Sequence, residues 1–424
     1  MDMILFLARG LLRDRSRSLF PFITVSLGVS LVVIVDCYVQ GSTDSMLTTT
    51  ASFAYGHLRV ATRAYNRSGA DPTGEATLLG ADSTLTELKR MFPDCIWVSR
   101  IKFGGLIDVP DSNGQTRLQY PVSGLAVDLS PQSPEHQLLR LQRSLATGRL
   151  PPSPAEVLLS DTLAKRLGVS AGSRLTLLST TLNGALAVRD FTLSGTVRFG
   201  IGQLDRSIML ASTEGIREAL DMADATSEIL GFLPGGHYDE QKAKQIVAAY
   251  NLRHPQQGEF DPEMVTMRTA SGLGSMFDLI STASALIIAV FVLAMSVVLW
   301  NAGLMGILRR YGEIGIRLAI GESKSDVYRS LLAESALLGL AGSVTGTIVG
   351  LGFSYYLQEV GINISGMMGN ATILIDDVLR ARISHRSYLV GFLPGLLATL
   401  LGAAISGLMV LRRQTAQLAR ELAG

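Results

Sequence analysis

The sequence predicts an α-helical membrane protein with four transmembrane helices and a large α+β external domain inserted between helices 1 and 2. Three observations carry that reading. Four apolar runs are each long enough to cross a bilayer, which takes about 20 residues of helix. Roughly 230 mostly polar residues separate the first run from the second, enough for one folded domain or two small ones. Lys and Arg gather beside alternate ends of the runs, as cytoplasmic flanks do. Of 424 residues, 47% are hydrophobic and 17% charged, with mean hydropathy +0.32. A soluble chain has about a quarter of its residues charged. The net charge of +1 gives no polyanion footprint, so nucleic acid is not an expected partner. Cys37 and Cys95 offer neither metal spacing nor a disulfide framework.

Residues 1–18 read as a cytoplasmic arm containing Arg9, Arg13, Arg15 and Arg17. The first span is 19–40. Its exit, Ile34-Val35-Asp36-Cys37, lacks the small residues of a cleavage site, so an uncleaved anchor is expected rather than a removed signal. Residues 41–276 form the external domain. Within it "RDFTLSGTVRF" (189–199) alternates, with Phe191, Leu193, Val197 and Phe199 on one face, which predicts a half-buried strand. "RSIML" and "EILGFL" are shorter strands. "STLTELKRMF", "SPEHQLLRLQRSL", "DTLAKRLG", "STEGIREALDM" and "YDEQKAKQIVAAYNL" have helical spacing, several behind a Ser, Thr or Asp cap. "GIGQLD" (200–205) lacks the third glycine of a dinucleotide loop and reads as a hairpin turn. His57, His136, His237 and His254 are scattered, and no G-x-S-x-G elbow occurs. These features predict binding or mechanical coupling, not an enzyme.

The second span is 277–307, followed by a cytoplasmic segment at 308–330 holding Arg309, Arg310, Arg317, Lys324 and Arg329. The third span is 331–357, the external loop 358–387, the fourth span 388–411 and the cytoplasmic tail 412–424, which opens on Arg412 and Arg413. An even number of spans puts both termini inside. In the third span Gly342, Gly346 and Gly350 recur at every fourth residue, the spacing that lets helix backbones approach closely, and predict a packing face that two subunits could share. Gly391, Pro394 and Gly395 invite a kink in the fourth. Asp36, Asp278, Asn301 and Glu334 lie toward span ends, where a charge is far less costly than at midplane, so an ion pathway is not expected.

The segment between spans two and three is patterned as a helix. Apolar Ile307, Tyr311, Ile314 and Leu318 form one row, with Arg310, Glu313 and Arg317 opposite. Gly321 should stop this helix, and Ser323, with Asp326 three residues on, should start the next. On the residues alone it fits either a helix resting on the inner leaflet or one that docks a protein.

"GEIGIRLAIGESKSDVYRSLLAES" (312–335) resembles the cytoplasmic coupling segment of the FtsX-like ABC transporter permeases, with Glu313, Ile314, Gly315, Ala319, Gly321 and Glu334 in the corresponding places. "LARGLLRDRSRSLFPFITVSLGVSLVVIV" is similar to that family's opening helix and first span. "GRLPPSPAEVLLSDTLAKRLGVSAGSRLTLLS" (148–179) resembles a stretch shared by MacB and the lipoprotein-releasing LolC/LolE permeases. The likeness covers the four spans and part of the external domain, and it is strongest to LolC/LolE. It implies a bacterial inner-membrane permease with a MacB-like periplasmic domain. Two copies of a separate ABC ATPase would dock on Tyr311, Glu313, Ile314, Arg317, Ala319, Ile320 and Gly321. ATP and Mg would be bound in that partner, with no cofactor in this chain, and no G-x-x-x-x-G-K-[ST] loop occurs in this sequence. A second permease subunit or a homodimer is implied, with a lipoprotein or other amphiphilic cargo. The alternatives are an FtsX-type mechanotransmitter acting on cell-wall hydrolases and a MacB-like exporter of peptides or small molecules.

Overall fold

The computed structural model describes residues 15–68, 76–111, 115–202, 204–255, 258–270, 272, 274–308, 311–363 and 378–412. Along the chain come α1 (Arg15–Thr50), a π-helical turn (Ala51–Tyr55), β1 (Leu58–Thr62), α2 (Ala81–Met91), β2 (Ile96–Pro110) and β3 (Thr116–Val127). Then follow β4 (Leu145–Gly148), β5 (Glu156–Ser160), α3 (Asp161–Leu167), β6 (Arg174–Thr180), β7 (Leu186–Val197), β8 (Ile208–Ser212) and α4 (Thr213–Ala219). β9 (Glu228–Phe232), α5 (Glu240–Arg253) and β10 (Pro262–Thr266) lead to four helices: α6 (Gly274–Leu308), α7 (Tyr311–Ala319), α8 (Lys324–Val360) and α9 (Phe392–Arg412). The elements fall into two units. One holds Met1–Thr43, Asp278–Ile362 and Leu379–Gly424; the other holds Asp44–Phe277 and Asn363–Val378.

The second unit, the large α/β one, is built on a ten-stranded sheet among the described residues, in the order β10-β1-β9-β2-β3-β8-β5-β7-β4, with β6 pairing β2 and β7. The β2–β3 hairpin is its longest ladder. Ile101, Phe103, Ile107 and Val109 alternate into the core from β2. Phe103 lies opposite Gly124, whose missing side chain leaves room for the ring. β7 delivers Phe191, Leu193 and Val197 to the interior as its alternation predicts, and Phe199 packs half-buried just beyond its end. The caps form where expected. Ser160, Ser212 and Asp239 each accept a backbone N–H from the first turn of α3, α4 and α5.

Two expectations are corrected. The 133–145 stretch is not one helix but two short ones, Glu135–Leu138 and Leu141–Ser144, broken by Arg140 at φ 51°. The break lets both Leu139 and Leu141 enter one core cluster, which two positions spaced by two on an unbroken helix could not do. "GIGQLD" is not a hairpin turn, because β7 and β8, which it connects, are not neighbours in the sheet. Instead the Asp205 carboxylate accepts the N–H groups of Phe199 and Gly200 at 2.8 and 2.9 Å and fixes a crossover.

Three helices among the described residues are long and apolar enough to cross a membrane, Leu19–Tyr55, Lys324–Val360 and Ser387–Ile405. The expected second span lies in α6, whose apolar run is the shorter Thr282–Val298. α1 and α8 extend past the expected spans because each added helical residue gains a hydrogen bond whether or not its side chain is apolar. Asp36 is buried against the protein, 3% exposed. It accepts from Gln40 Nε2 at 2.5 Å and from Ser387 Oγ at 3.5 Å. The chain near Ala381 crosses α1 at Gly41, and the Arg382 N–H reaches the Cys37 carbonyl at 2.9 Å.

Candidate functional site

The segment that resembles a coupling segment is a helix, a fixed turn and a second helix. α7 ends in a Schellman arrangement: the Glu322 N–H reaches Arg317 O at 3.1 Å and the Gly321 N–H reaches Leu318 O at 3.2 Å. Gly321 adopts φ 103°, a conformation side chains strain to reach. Arg317 Nε pairs with Glu322 Oε2 at 3.1 Å and straps the same turn. Ser323 then caps α8, its Oγ accepting the Asp326 N–H at 3.1 Å. Two caps on adjoining helix ends leave the connecting residues little freedom. Ala319, Ile320 and Gly321 are exposed, and Arg317 is half-buried. The side chains of Tyr311, Glu313 and Ile314 lie outside the described residues, as do Arg309 and Arg310. Ile316 stands 60% exposed, four residues before Ile320 at 81%. The sequence reading had passed over Ile316, although an i,i+4 pair of isoleucines on a charged helix is the signal that would have found it.

The glycine row of α8 faces α1 of the same chain. A Cβ on Gly342 would sit 2.8 Å from Val25 Cβ, one on Gly346 2.5 Å from Ser26 O, and one on Gly350 2.9 Å from Ser30 O. α9 joins the same core: a Cβ on Gly395 would come within 2.7 Å of Ser343 Oγ, and one on Gly391 within 3.0 Å of a Val29 methyl carbon.

The sequence reading missed a cluster of buried charges in the α/β unit. Arg59, Arg100, Lys102, Glu135 and Glu228 come from β1, β2, a short helix and β9, and all but Lys102 are buried as whole residues. A usable signal was present: Arg100 and Lys102 stand two apart inside a strand, hence on one face, with apolar Ile101 and Phe103 on the other. Beside them His57 accepts the Leu233 N–H on Nδ1 at 3.0 Å, packed by the rings of Phe232 and Tyr238. Burial, then the nearby His237, lowers its pKa from 6.5 to about 4. The folded chain therefore refuses a proton that the unfolded chain accepts below pH 6.5. Stability conferred by neutral His57 is fully present above pH 6.5 and is lost as pH falls toward about 4. The loss is about 1.4 kcal/mol per pH unit, some ~3 kcal/mol in all. Thermal melts of the intact chain across that window should show the slope, and His57→Gln should flatten it. Equal slopes in both proteins would remove His57 as its cause.

Among the described residues no group of three or more His, Cys, Asp or Glu side chains could hold a metal ion. Residues 285–415 match the FtsX-like permease C-terminal family. The chain is 24% identical to the lipoprotein-releasing system transmembrane protein LolC of Xylella fastidiosa over 236 residues, 54% of each chain. It is 31% identical to the macrolide export ATP-binding/permease protein MacB of Acinetobacter baylyi over 118 residues, 27% of this chain and 17% of that protein. The chain thus spans about half the length of the LolC relative. The crystal structure of the periplasmic region of MacB from Actinobacillus actinomycetemcomitans aligns with 52% of this chain and 92% of that one, at 11% identity and TM-score 0.34.

Proposed function

We propose, from the premise that residues 285–415 are an FtsX-like permease C-terminal domain, that this chain is the membrane subunit of an ABC transporter that extracts lipoproteins or other lipid-tailed cargo from the bacterial inner membrane. ATP, with Mg, is hydrolysed in two copies of a separate ATPase that dock on Tyr311, Glu313, Ile314, Arg317, Ala319, Ile320 and Gly321. Both termini lie in the cytoplasm and the α/β unit in the periplasm. A second permease subunit, or a second copy of this chain, completes the membrane part.

The observation that carries this reading is the doubly capped turn between α7 and α8. A helix presented to a partner does mechanical work only if its displacement passes on instead of bending a hinge. Here the Schellman bonds, the Arg317–Glu322 strap and the Ser323 cap join α7 stiffly to a helix that runs on from Lys324 to Val360. The cargo assignment is supported by the LolC match across 54% of this chain. The shorter MacB match favours export of peptides or small molecules as the second reading.

Mild-detergent purification from native membranes, with mass spectrometry of the retained proteins, tests both. The expected result is an ATPase, a second permease and acylated proteins. An ATPase with an adaptor and an outer-membrane channel would transfer the assignment to export. An ATPase with only a cell-wall hydrolase would transfer it to signalling, and no ATPase would remove the docking role altogether.

A further inference from the structure

The end of α1 is gripped by buried charges. After Thr50 the chain widens into the π-helical turn Ala51–Tyr55, closed by the Gly56 N–H on Ala51 O, and stops at Gly56, at φ 64°. The last carbonyls of a helix have no partner within it, and they carry the negative end of its dipole. Two of them are taken by cations from β2. Arg100 Nη1 donates to Ser52 O at 2.6 Å, and Lys102 Nζ donates to Ala54 O at 2.8 Å.

Neither cation is left as a bare charge. Arg100 makes a two-pronged pair with Glu135, 2.7 Å on each prong, and both side chains are fully buried. Lys102 lies 2.7 Å from Glu228, which in turn faces Arg59 at 3.8 Å. Arg59 stands over the rings of Tyr55 and Tyr65 at 5.4 and 5.3 Å, and Lys102 over Tyr55 at 5.3 Å. Burial lowers the pKa of the Lys102 ammonium, and Glu228 offsets part of that. Three cations thus face two carboxylates, and the surplus positive charge meets the carbonyl end of the helix.

Such a network is a poor way to gain stability, since apolar side chains of similar size often serve as well. What it adds is direction: each bond fixes a particular carbonyl to a particular strand residue. Its position also matters. β1, which follows the turn, pairs with β10 from Leu58↔Thr266 to Thr62↔Pro262, and His57 O accepts the Met267 N–H at 3.1 Å. β10 is the last strand before α6, so the chain's departure from α1 and its approach to α6 are neighbouring strands of one sheet.

We propose that Arg100, Lys102, Glu135 and Glu228 form a rigid joint between the carbonyl end of α1 and the sheet, so that displacement of α1 carries the sheet with it instead of unwinding the Ala51–Tyr55 turn. The source of that displacement rests on the transport reading; the joint itself does not. The test uses the intact chain with its ATPase in lipid nanodiscs, spin-labelled at Ser45→Cys and Gln119→Cys on a background with Cys37 and Cys95 replaced. The native joint should give one narrow distance, unchanged between ATP-free and vanadate-trapped states. In Arg100→Met/Glu135→Leu, which keeps the site filled with apolar side chains, the distance should broaden. Cargo release should fall about tenfold while ATP turnover is retained. A narrow distance with normal release in the double variant overturns the joint, as does a native distance that shifts on trapping. Should no ATPase be retained, the transport reading fails and the joint is read from hydrogen exchange. Amides of residues 51–56 should then exchange faster in the double variant while those of β1 and β10 stay protected. Equal protection at 51–56 in both proteins overturns it.

Discussion

Valine in place of Gly346 is expected to break the packing of α8 on α1, at a cost of about 3 kcal/mol, the upper end of what overpacking a well-filled interface costs. The reason is what the new side chain would meet. A Cβ at 346 falls 2.5 Å from Ser26 O and 2.8 Å from Val29 Cβ, so backbone must move, not only a flexible side-chain tip. α1 has nowhere to go, because Gly342 and Gly350 hold it equally close one turn to either side. Gly352 is the control: on the same helix, a Cβ there would meet nothing within 4 Å. Gly352→Val should therefore melt with the native protein in mild detergent, and Gly346→Val well below it. Equal melting of the two variants would mean that the glycine row does not hold these helices together.

The second large effect is expected at the turn between α7 and α8. Gly321→Ala meets no steric obstacle, since a Cβ there has no neighbour within 4 Å, so any effect comes from the backbone. At φ 103° a residue with a side chain is strained by about 1–3 kcal/mol. Relieving that strain opens the Schellman bonds and changes the angle at which α7 leaves α8. Because about 1.4 kcal/mol is tenfold in an equilibrium, ATPase association should weaken by about tenfold or more. Glu313→Lys should weaken association as well, by reversing a charge on α7, the proposed docking helix, without touching the turn. Both variants should insert into the membrane normally. Native-like ATPase binding in both would end the assignment of 311–321 as the docking segment.

Some of this architecture was legible because its causes are local. Gly321 followed by Ser-x-x-Asp announced the break and restart between α7 and α8, since both caps are made by residues within a few positions of each other. The same holds for Ser160, Ser212 and Asp239. The break at Arg140 was not legible, because the cluster that receives Leu139 and Leu141 is assembled from β3, β5, β7 and β8 as well. Nor was the long β2–β3 hairpin, whose glycines interrupt the apolar alternation. Their purpose shows only in the sheet, where Gly105 lies against the Leu178 carbonyl of β6 and Gly124 under Phe103.

The sequence by itself determined where apolar helices form, how most helices start and the helix–turn–helix of α7 and α8. These depend on side chains within about four residues of one another and on a run long enough to match a bilayer. Only the tertiary structure decided what the glycines touch and what the buried charges hold. Gly41 shows nothing in its own neighbourhood of the chain at 381, and Arg100 gives no sign of Glu135 or of the carbonyl of Ser52. Such contacts join residues distant along the chain, so they exist only once the sheet and the helix core have formed around them. A charge is then tolerated in the interior because the fold has brought it a partner.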